Sequence, residues 1–181
     1  MKKSLVFPGI ILITLLILSS FGIKKTQEQN SAPGATEHRN ANSEEGLRAA
    51  NSQFYAALNS MFTGNRQPME NIWSHNEDVT QLGPFGDRLT GWDAVKAEFQ
   101  REAGMKLGGK VECKDLFVVP GQEIGFTVCT EEGQNMSVDG KPVVVKFRAT
   151  NIFRLENGAW KLVHHHTDLS DPLQQAFPET K

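Results

Sequence analysis

The chain has 181 residues, of which 39% are hydrophobic and 22% are charged, and its formal net charge is -2. This length is enough for one domain with a hydrophobic core and little more. A nucleic-acid binder normally carries a basic stripe, and no block of Lys or Arg lies on any predicted element, so we expect no nucleic-acid partner.

The N-terminus has the pattern of an export signal. Lys2 and Lys3 precede an apolar run over residues 5–23, which is a positive n-region followed by a hydrophobic h-region. We predict that residues 1–22 are a signal peptide and that the protein is exported, to the periplasm or secreted. The run also has about the length that spans a bilayer, so an uncleaved anchor is the alternative, and the membrane would then be contacted only through this segment.

The domain boundaries follow from composition. Residues 24–43 contain no large apolar side chain, so this stretch cannot bury enough surface to offset the entropy of ordering it. We predict a disordered linker over residues 23–43, one folded domain over residues 44–172 and a C-terminal tail over residues 173–181.

Two helices are predicted in the first half of the domain. The first starts at Ser43, a residue type that favours the N-cap, and its apolar residues recur at helical spacing until Gly64. A single helical turn in "QPMENIW", a short strand in "EDVTQL" and a turn in "GPFG" follow. The second helix is "TGWDAVKAEFQREA", with Trp92, Val95 and Phe99 facing inward and Glu102 on a solvated face.

The second half of the domain has the pattern of long antiparallel strands. A Pro120-Gly121 turn and an Asn157-Gly158 turn each join two strand patterns into a hairpin. The order of helices followed by strands predicts an α+β fold, with helices packed on one curved antiparallel sheet.

The first hairpin contains both cysteines of the chain. A three-residue turn would place Val119 opposite Glu123, and Cys113 would then lie directly opposite Cys129. Directly opposed residues are close enough for a slightly adjusted disulfide, and an oxidising compartment would favour it. We therefore predict a Cys113–Cys129 disulfide; two free thiols are the alternative, because a two-residue turn would shift the register.

The second hairpin ends in three consecutive histidines. A three-residue loop over residues 156–158 would place His165 and Thr167 on the face that holds Asn151, and Trp160, Leu162, His164 and His166 on the other face. A two-residue loop would exchange these faces. In either case neighbouring histidines point in opposite directions, so the triplet is not one cluster of ligands.

The chain from Glu44 to Pro172 resembles a SnoaL-like domain of the nuclear-transport-factor-2-like superfamily. The stretches that carry the resemblance are "FYAALNSMFTGN", "WSHNEDVTQLGPFGDRLTGWDAV" and "KFRATNIFRLENGAWKLVHHHTD". The resemblance implies a cone, in which a curved sheet wraps against helices around an internal pocket. It also implies a homodimer formed through the outer face of the sheet.

Fold alone does not give function, because the superfamily contains isomerases, cyclases, dehydratases and assembly domains. In the ketosteroid isomerases the oxyanion hole uses a tyrosine on the first helix and a protonated aspartate on the penultimate strand. Tyr55 and Asn151 stand at the matching positions of this sequence. The isomerase base is an aspartate before a turn like "GPFG", and Gly83 stands there instead, so proton transfer of that kind lacks its base.

The candidate site residues follow from these comparisons. We expect a ligand to contact Tyr55, Trp73, Asn151, His165 and Thr167. His165 and His75 are the candidate catalytic residues, because imidazole suits proton transfer near neutral pH, and Asp78 is a further acid–base candidate.

We predict no cofactor and no metal site. His164 and His166 share a strand face, but no third ligand at a diagnostic spacing accompanies them.

We expect the domain to bind a small hydrophobic or carboxylate-bearing molecule in the pocket of the cone. The alternatives are a lyase-type or isomerase-type enzyme that uses a pocket histidine as general base, and a dimeric assembly module.

Overall fold

The structure, a computed structural model, describes residues 43–84 and 87–167. The predicted signal or anchor, most of the predicted linker, the end of the predicted domain and the predicted tail lie outside these residues. In the part of the chain that is described, no helix is long and apolar enough to cross a membrane.

Three helices and eight strands make up the described residues. The helices are α1 (Glu44–Phe62), α2 (Gln67–Ile72) and α3 (Trp92–Met105). The strands are β1 (Thr80–Leu82), β2 (Leu89–Thr90), β3 (Lys110–Val119), β4 (Ile124–Gln134), β5 (Ser137–Val138), β6 (Lys141–Pro142), β7 (Lys146–Glu156) and β8 (Ala159–Thr167).

Helix α1 begins where the sequence predicts. The Ser43 side chain accepts a hydrogen bond from the Gly46 N–H at 3.1 Å, and Glu44 and Glu45 occupy the first turn, next to the positive end of the helix dipole. The apolar face is buried, with Leu47 and Phe54 fully inaccessible to solvent. Burying each such side chain stabilises the fold by about 1.5–3 kcal/mol.

Six strands form one sheet in the order β2-β1-β8-β7-β4-β3. The pairs between β3, β4, β7 and β8 are antiparallel, as predicted, whereas β1 is parallel to β8. Helix α1 packs against β3, β4 and β8. The predicted α+β class is confirmed, and the core lies between the helices and the inner face of this sheet.

The second hairpin turns through two residues, so the predicted three-residue loop is wrong. Glu156 pairs with Ala159, and Asn157 and Gly158 have φ values of 52° and 81°. A type I′ turn needs positive φ at both central positions, and Asn-Gly is the sequence that adopts it most readily.

A β-bulge in β8 then restores part of the predicted pattern. The pairing shifts between Ile152–His164 and Phe153–Leu162, which leaves Val163 as the extra residue. Trp160 and Leu162 therefore face the core, contrary to the prediction, while His165 and Thr167 also face inward, as predicted.

The first hairpin has a different register from the predicted one. Val119 pairs with Phe126 and not with Glu123. The main-chain oxygen of Glu123 instead accepts a hydrogen bond from Leu155 N at 2.8 Å. A second bulge lies between Lys114 and Phe117. Cys113 consequently lies opposite Glu131, so the prediction that it faces Cys129 directly is wrong, and the structure has both cysteines as free thiols.

Candidate ligand pocket

A cavity of about 40 Å³ lies between the helices and the inner face of the sheet. At about 10–15 Å³ for one water it has room for roughly three waters, so the cone is not completely filled by side chains. Among the described lining residues, only Gly83 and Pro84 are not buried, which places the entrance beside them. The lining is mostly apolar and comprises Phe54, Leu58, Phe62, Met69, Trp73, Gln81, Gly83, Pro84, Glu102, Leu107, Val111, Glu131, Met136, Val145, Phe147, His165 and Thr167.

A row of polar side chains crosses the inner face of the sheet. Gln81 pairs with His165, His165 with Asn151, and Asn151 with Thr127, which gives one polar residue on each of β1, β8, β7 and β4. All four are buried. Asn51 on α1 lies over this row, and its Oδ1 accepts from Thr127 Oγ1 at 2.8 Å and from Asn151 Nδ2 at 3.0 Å. The row is therefore tied to the helix layer by buried hydrogen bonds, which stay strong because water is excluded.

This network sets the proton position on His165. Because Asn151 Nδ2 donates to Asn51, the Asn151 Oδ1 is the acceptor that faces His165 Nδ1, at 2.6 Å. Nδ1 therefore carries the hydrogen and Nε2 has the free lone pair. Burial, together with the smaller effect of the neighbouring His164 and His166, lowers the pKa of His165 to about 3. The imidazole is thus a neutral acceptor at physiological pH.

Glu131 is a buried carboxyl that lines the pocket from β4. The Tyr55 hydroxyl donates to its Oε1 at 2.9 Å. Burial raises the pKa of Glu131 to about 7, although the Tyr55 hydrogen bond acts in the opposite direction. Burial and the Glu131 charge raise the pKa of Tyr55 as well, so Tyr55 remains a protonated donor.

Glu102 is the second buried carboxyl in the lining, and its side chain comes from α3. Only 4% of it is exposed, so the prediction that it lies on a solvated face is wrong. Burial, together with the smaller effect of the nearby Glu98, raises its pKa to about 8. A Cβ built on Gly83 would lie 3.7 Å from Glu102 Oε1. The carboxyl of Glu102 therefore occupies the neighbourhood that a side chain at position 83 would reach.

Three buried polar atoms of the lining have no hydrogen-bond partner within the described part of the chain: Trp73 Nε1, Gln81 Oε1 and Thr167 Oγ1. Each such atom costs about 1–3 kcal/mol while it is unsatisfied. The donor on Trp73 and the acceptor on Gln81 give the pocket unused capacity to bind a polar group.

The structure separates the predicted site residues into three groups. Trp73, His165 and Thr167 line the pocket. Tyr55 and Asn151 are buried behind it and hold Glu131 and His165 in place. His75 and Asp78 lie outside the pocket.

Both outlying residues are themselves exposed and have partners outside the pocket. The His75 ring stacks on Trp92 at 4.0 Å between centroids, and Asp78 forms an ion pair with Arg154 at 2.6 Å.

Glu102 and Glu131 were missed as pocket residues, although periodicity could have identified both. Glu102 follows Phe99 by three residues, so helical spacing puts it on the buried face of α3. Glu131 follows Cys129 by two residues, so strand alternation puts it on the inner face of β4.

The chemistry that this site offers is limited by its charges. No described lining residue is Lys or Arg, and two of the lining residues are carboxyls. An anionic ligand would therefore have no countercharge, whereas protonated carboxyls can donate hydrogen bonds to a neutral one. Among the described residues there is also no group of three His, Cys, Asp or Glu side chains that could hold a metal ion.

Solved structures of other proteins share this fold. A protein of Streptomyces avermitilis, provisionally named a dehydratase of the NTF2-like family, is 22% identical, with a TM-score of 0.58 over 68% of this chain and 93% of that one. A protein of Thiobacillus denitrificans, provisionally named a calcium/calmodulin-dependent protein kinase type II association domain, is 22% identical, with a TM-score of 0.57 over 68% and 94% of the two chains. A provisionally named ketosteroid isomerase of Shewanella frigidimarina is 15% identical, with a TM-score of 0.53 over 66% and 92%. The fold is that of the NTF2-like cone proteins.

The sequence places the chain more narrowly within this class. The SnoaL-like domain family matches residues 47–170, and the chain belongs to that family. None of the curated proteins matches the chain.

We predict that Glu102→Gln changes how the stability of the protein depends on pH. The pKa of Glu102 is 4.5 when unfolded and about 8 when folded, so the folded state binds more protons between these values, and stability falls as pH rises from 4.5 to 8. Glutamine removes this fall, which amounts to about 1.4 kcal/mol for each pH unit at most. Urea unfolding of both proteins at pH 5, 6.5 and 8 measures it, and the variant should gain most at pH 8.

Glu112→Gln is the matched control. Hydrogen bonds from Lys110 and Lys114 lower the pKa of the half-buried Glu112 to about 2 in the folded state, so its pKa lies below the tested range in both the folded and the unfolded state. This variant should follow the wild-type curve from pH 5 to 8. Equal behaviour of Glu102→Gln and wild type would show that Glu102 ionises freely.

Proposed function

We propose that the domain binds a small, uncharged and largely apolar molecule with one hydrogen-bonding group in the pocket. The observation that carries this proposal is a set of three buried polar atoms, on Trp73, Gln81 and Thr167, that have no hydrogen-bond partner among the described residues and belong to side chains of a mostly apolar lining. Pockets for small molecules typically combine apolar walls with a few placed polar groups.

The charges of the pocket narrow the ligand class. The sequence suggested a hydrophobic or a carboxylate-bearing ligand. A carboxylate would bring a charge into a buried cavity in which no described lining residue is Lys or Arg, and it would repel Glu102 or Glu131 whenever either is ionised. A ketone or an alcohol has no such penalty, because Trp73 Nε1 can donate to the oxygen of either. Gln81 Oε1 can in addition accept from the hydroxyl of an alcohol.

We predict that the protein binds butanone but not propionate, which has the same number of non-hydrogen atoms. Saturation-transfer NMR with each compound at millimolar concentration measures this, since such small ligands bind weakly. Trp73→Phe keeps the aromatic wall but removes the donor, and should weaken the butanone signal. Ile124→Ala changes an exposed residue that does not line the pocket, and should leave the signal unchanged. Preferential binding of propionate would contradict the proposal.

Proton transfer is a second candidate function, and Glu102 is the observation that favours it. Its carboxyl lies beside Gly83, where the isomerases carry their base, and its pKa of about 8 suits a base near neutral pH. His165, the candidate base from the sequence, is a poorer one because burial lowers its pKa to about 3. In this function, Glu102 takes a proton from the carbon next to a carbonyl group.

We predict that the protein accelerates exchange of the C3 protons of butanone for deuterium in D₂O, followed by NMR. A base acts in its deprotonated form, so the rate should rise with pH through about 8. Glu102→Gln should abolish the acceleration, whereas His75→Gln, outside the pocket, should preserve it. Full activity of Glu102→Gln would exclude Glu102 as the base, and binding without exchange would leave binding as the function.

We further propose a homodimer formed through the outer face of the sheet. Phe117, Ile124, Phe126 and Val128 form an outer apolar patch: Phe117 pairs with Val128, and the three β4 residues alternate along one face. Their exposed fractions are 61%, 49%, 37% and 37%. Contiguous exposed apolar side chains of this kind mark interaction surfaces.

Phe126→Lys should dissociate this dimer, because a desolvated lysine in the centre of an interface has no countercharge. The loss of a hot spot worth about 2 kcal/mol raises the Kd about 30-fold, which sedimentation velocity over a concentration series measures. Val144→Lys changes the most exposed large apolar residue of the described chain, at 78%, and should leave the Kd unchanged. A monomeric wild type would contradict the proposal.

We also propose that the domain acts outside the cytoplasm, either free after cleavage or tethered by its N-terminal segment. The two lysines and the apolar run in residues 1–23 support this placement.

A further inference from the structure

The two cysteines meet on the inner face of the sheet, although they do not face each other directly. Cys113 pairs with Glu131, and Cys129 precedes Glu131 by two residues, so the cysteines are diagonal neighbours on β3 and β4. The bulge between Lys114 and Phe117 lies opposite Cys129. The two thiols lie close enough for each to shift the pKa of the other.

Only one of these thiols is accessible. Cys113 is half-buried and lines an open groove of about 500 Å³ between α1 and β3, together with Asn51, Tyr55, Lys110 and Lys114. Cys129 is 5% exposed and does not line this groove. A reagent in the groove therefore reaches Cys113 first.

The surroundings of the two thiols also favour different protonation states. The interaction with Cys129 lowers the pKa of Cys113, and Asn51 Nδ2 donates to the same sulfur at 3.7 Å. The interaction with Cys113 and burial both raise the pKa of Cys129. Cys113 is therefore the thiol that more readily forms the nucleophilic thiolate, and Cys129 is the thiol that stays protonated.

We propose that Cys113 and Cys129 form a reactive dithiol site, in which Cys113 attacks a small anionic disulfide bound in the groove and Cys129 resolves the product. The Cys113 thiolate forms a bond to one sulfur of the disulfide, and the sulfur–sulfur bond breaks to release one thiolate. Cys129 then attacks Cys113 Sγ, its proton passes to the released thiolate, and a second thiolate leaves. The protein is oxidised by two electrons and the small disulfide is reduced to two thiols.

The charge of the groove specifies an anionic reagent. Lys110 and Lys114 both bind Glu112, so these three groups leave one positive charge in excess beside Cys113. Disulfides that carry carboxylates, of which oxidised glutathione is an example, complement it.

The diagonal geometry makes the site reversible. Diagonal residues on paired strands have Cα atoms about 7–8 Å apart, beyond the usual disulfide span of about 4.4–6.8 Å. Closing the bond thus requires β3 to move at its bulge, where Asp115 has a φ of 53°. Strained disulfides are the easily reduced ones, so this pair is a switchable site and not the permanent cross-link that direct pairing would give.

The test uses the full chain, reduced, desalted and incubated with oxidised glutathione, then alkylated and mapped by mass spectrometry without reduction. Wild type should form the Cys113–Cys129 bond and release two glutathione thiols, and millimolar reduced glutathione should reverse it. Cys129→Ser should stop at a mixed disulfide between glutathione and Cys113. In Cys113→Ser, Cys129 should react at least about tenfold more slowly than Cys113 does, but at an ordinary rate in urea.

Any one of three results would overturn the proposal. In the Cys113→Ser variant, Cys129 reacts as fast in the folded state as in urea. The wild type accumulates mixed disulfides without the internal bond, or millimolar reduced glutathione does not reduce the internal bond. Circular dichroism confirms that each variant is folded. Because the ligand pocket takes no part in these reactions, the binding proposal and the dithiol proposal stand or fall separately.

Discussion

The bulge at Val163 is the feature on which the pocket depends. The tight Asn157-Gly158 turn fixes the pairing at the start of β8 so that Trp160 and Leu162 face the core. Without an extra residue, strand alternation would next turn His165 and Thr167 to the outer face. The bulge inverts the alternation once, so one strand supplies both large apolar core residues and the polar end of the pocket. The polar row across β1, β8, β7 and β4 exists only because of this inversion.

The second controlling feature is the burial of ionisable groups in an apolar cavity. Burial disfavours the charged form of every group, so it raises the pKa of Glu102 and Glu131 and lowers that of His165. Burial therefore favours the neutral form of all three groups, which is the protonated form of each carboxyl and the deprotonated form of the imidazole. Near neutral pH the pocket therefore presents hydrogen-bond donors and acceptors with little net charge, which explains why it suits an uncharged molecule better than an ion.

Much of this architecture could be predicted from the sequence, because it rests on local signals. The Ser43 cap, the apolar face of α1 and the Asn-Gly turn each follow from a few neighbouring residues. The hairpin registers could not be predicted in the same way, since bulges depend on packing against other strands. The inward position of His165 is nevertheless predicted correctly, because two errors cancel. The predicted loop between β7 and β8 is one residue too long, and the predicted β8 lacks the bulge at Val163.

The site itself could be predicted only in part, for a related reason. Trp73, His165 and Thr167 were identified, but Glu102 was assigned to solvent because charged residues on helices are usually exposed. Its position three residues after Phe99 was the stronger signal, since helical geometry applies to charged and apolar side chains alike. Glu131 was overlooked in the same way on β4, where the polar residues face inward and apolar ones face outward.

Tyr55 has a role that neither the pocket nor the thiol pair explains alone. Its hydroxyl lies 2.9 Å from Glu131 Oε1 and 3.1 Å from Cys129 Sγ. The side chain is therefore the physical link between the carboxyl that faces the ligand cavity and the buried thiol behind the open groove. A hydroxyl has a single proton to donate, so the group that Tyr55 donates to determines what the other group can do.

The position of the acidic group distinguishes this pocket from one built around an acid at position 83. A carboxyl at position 83 would stand at the half-exposed entrance, where water stabilises its charge. Glu102 brings a carboxyl to the same neighbourhood from α3, with 4% of the side chain exposed. Water cannot reach it there, so ionisation is opposed until about pH 8. With glycine at position 83, the pocket therefore has this carboxyl on a dry wall and not at a hydrated entrance, and its protonation state depends on what occupies the cavity.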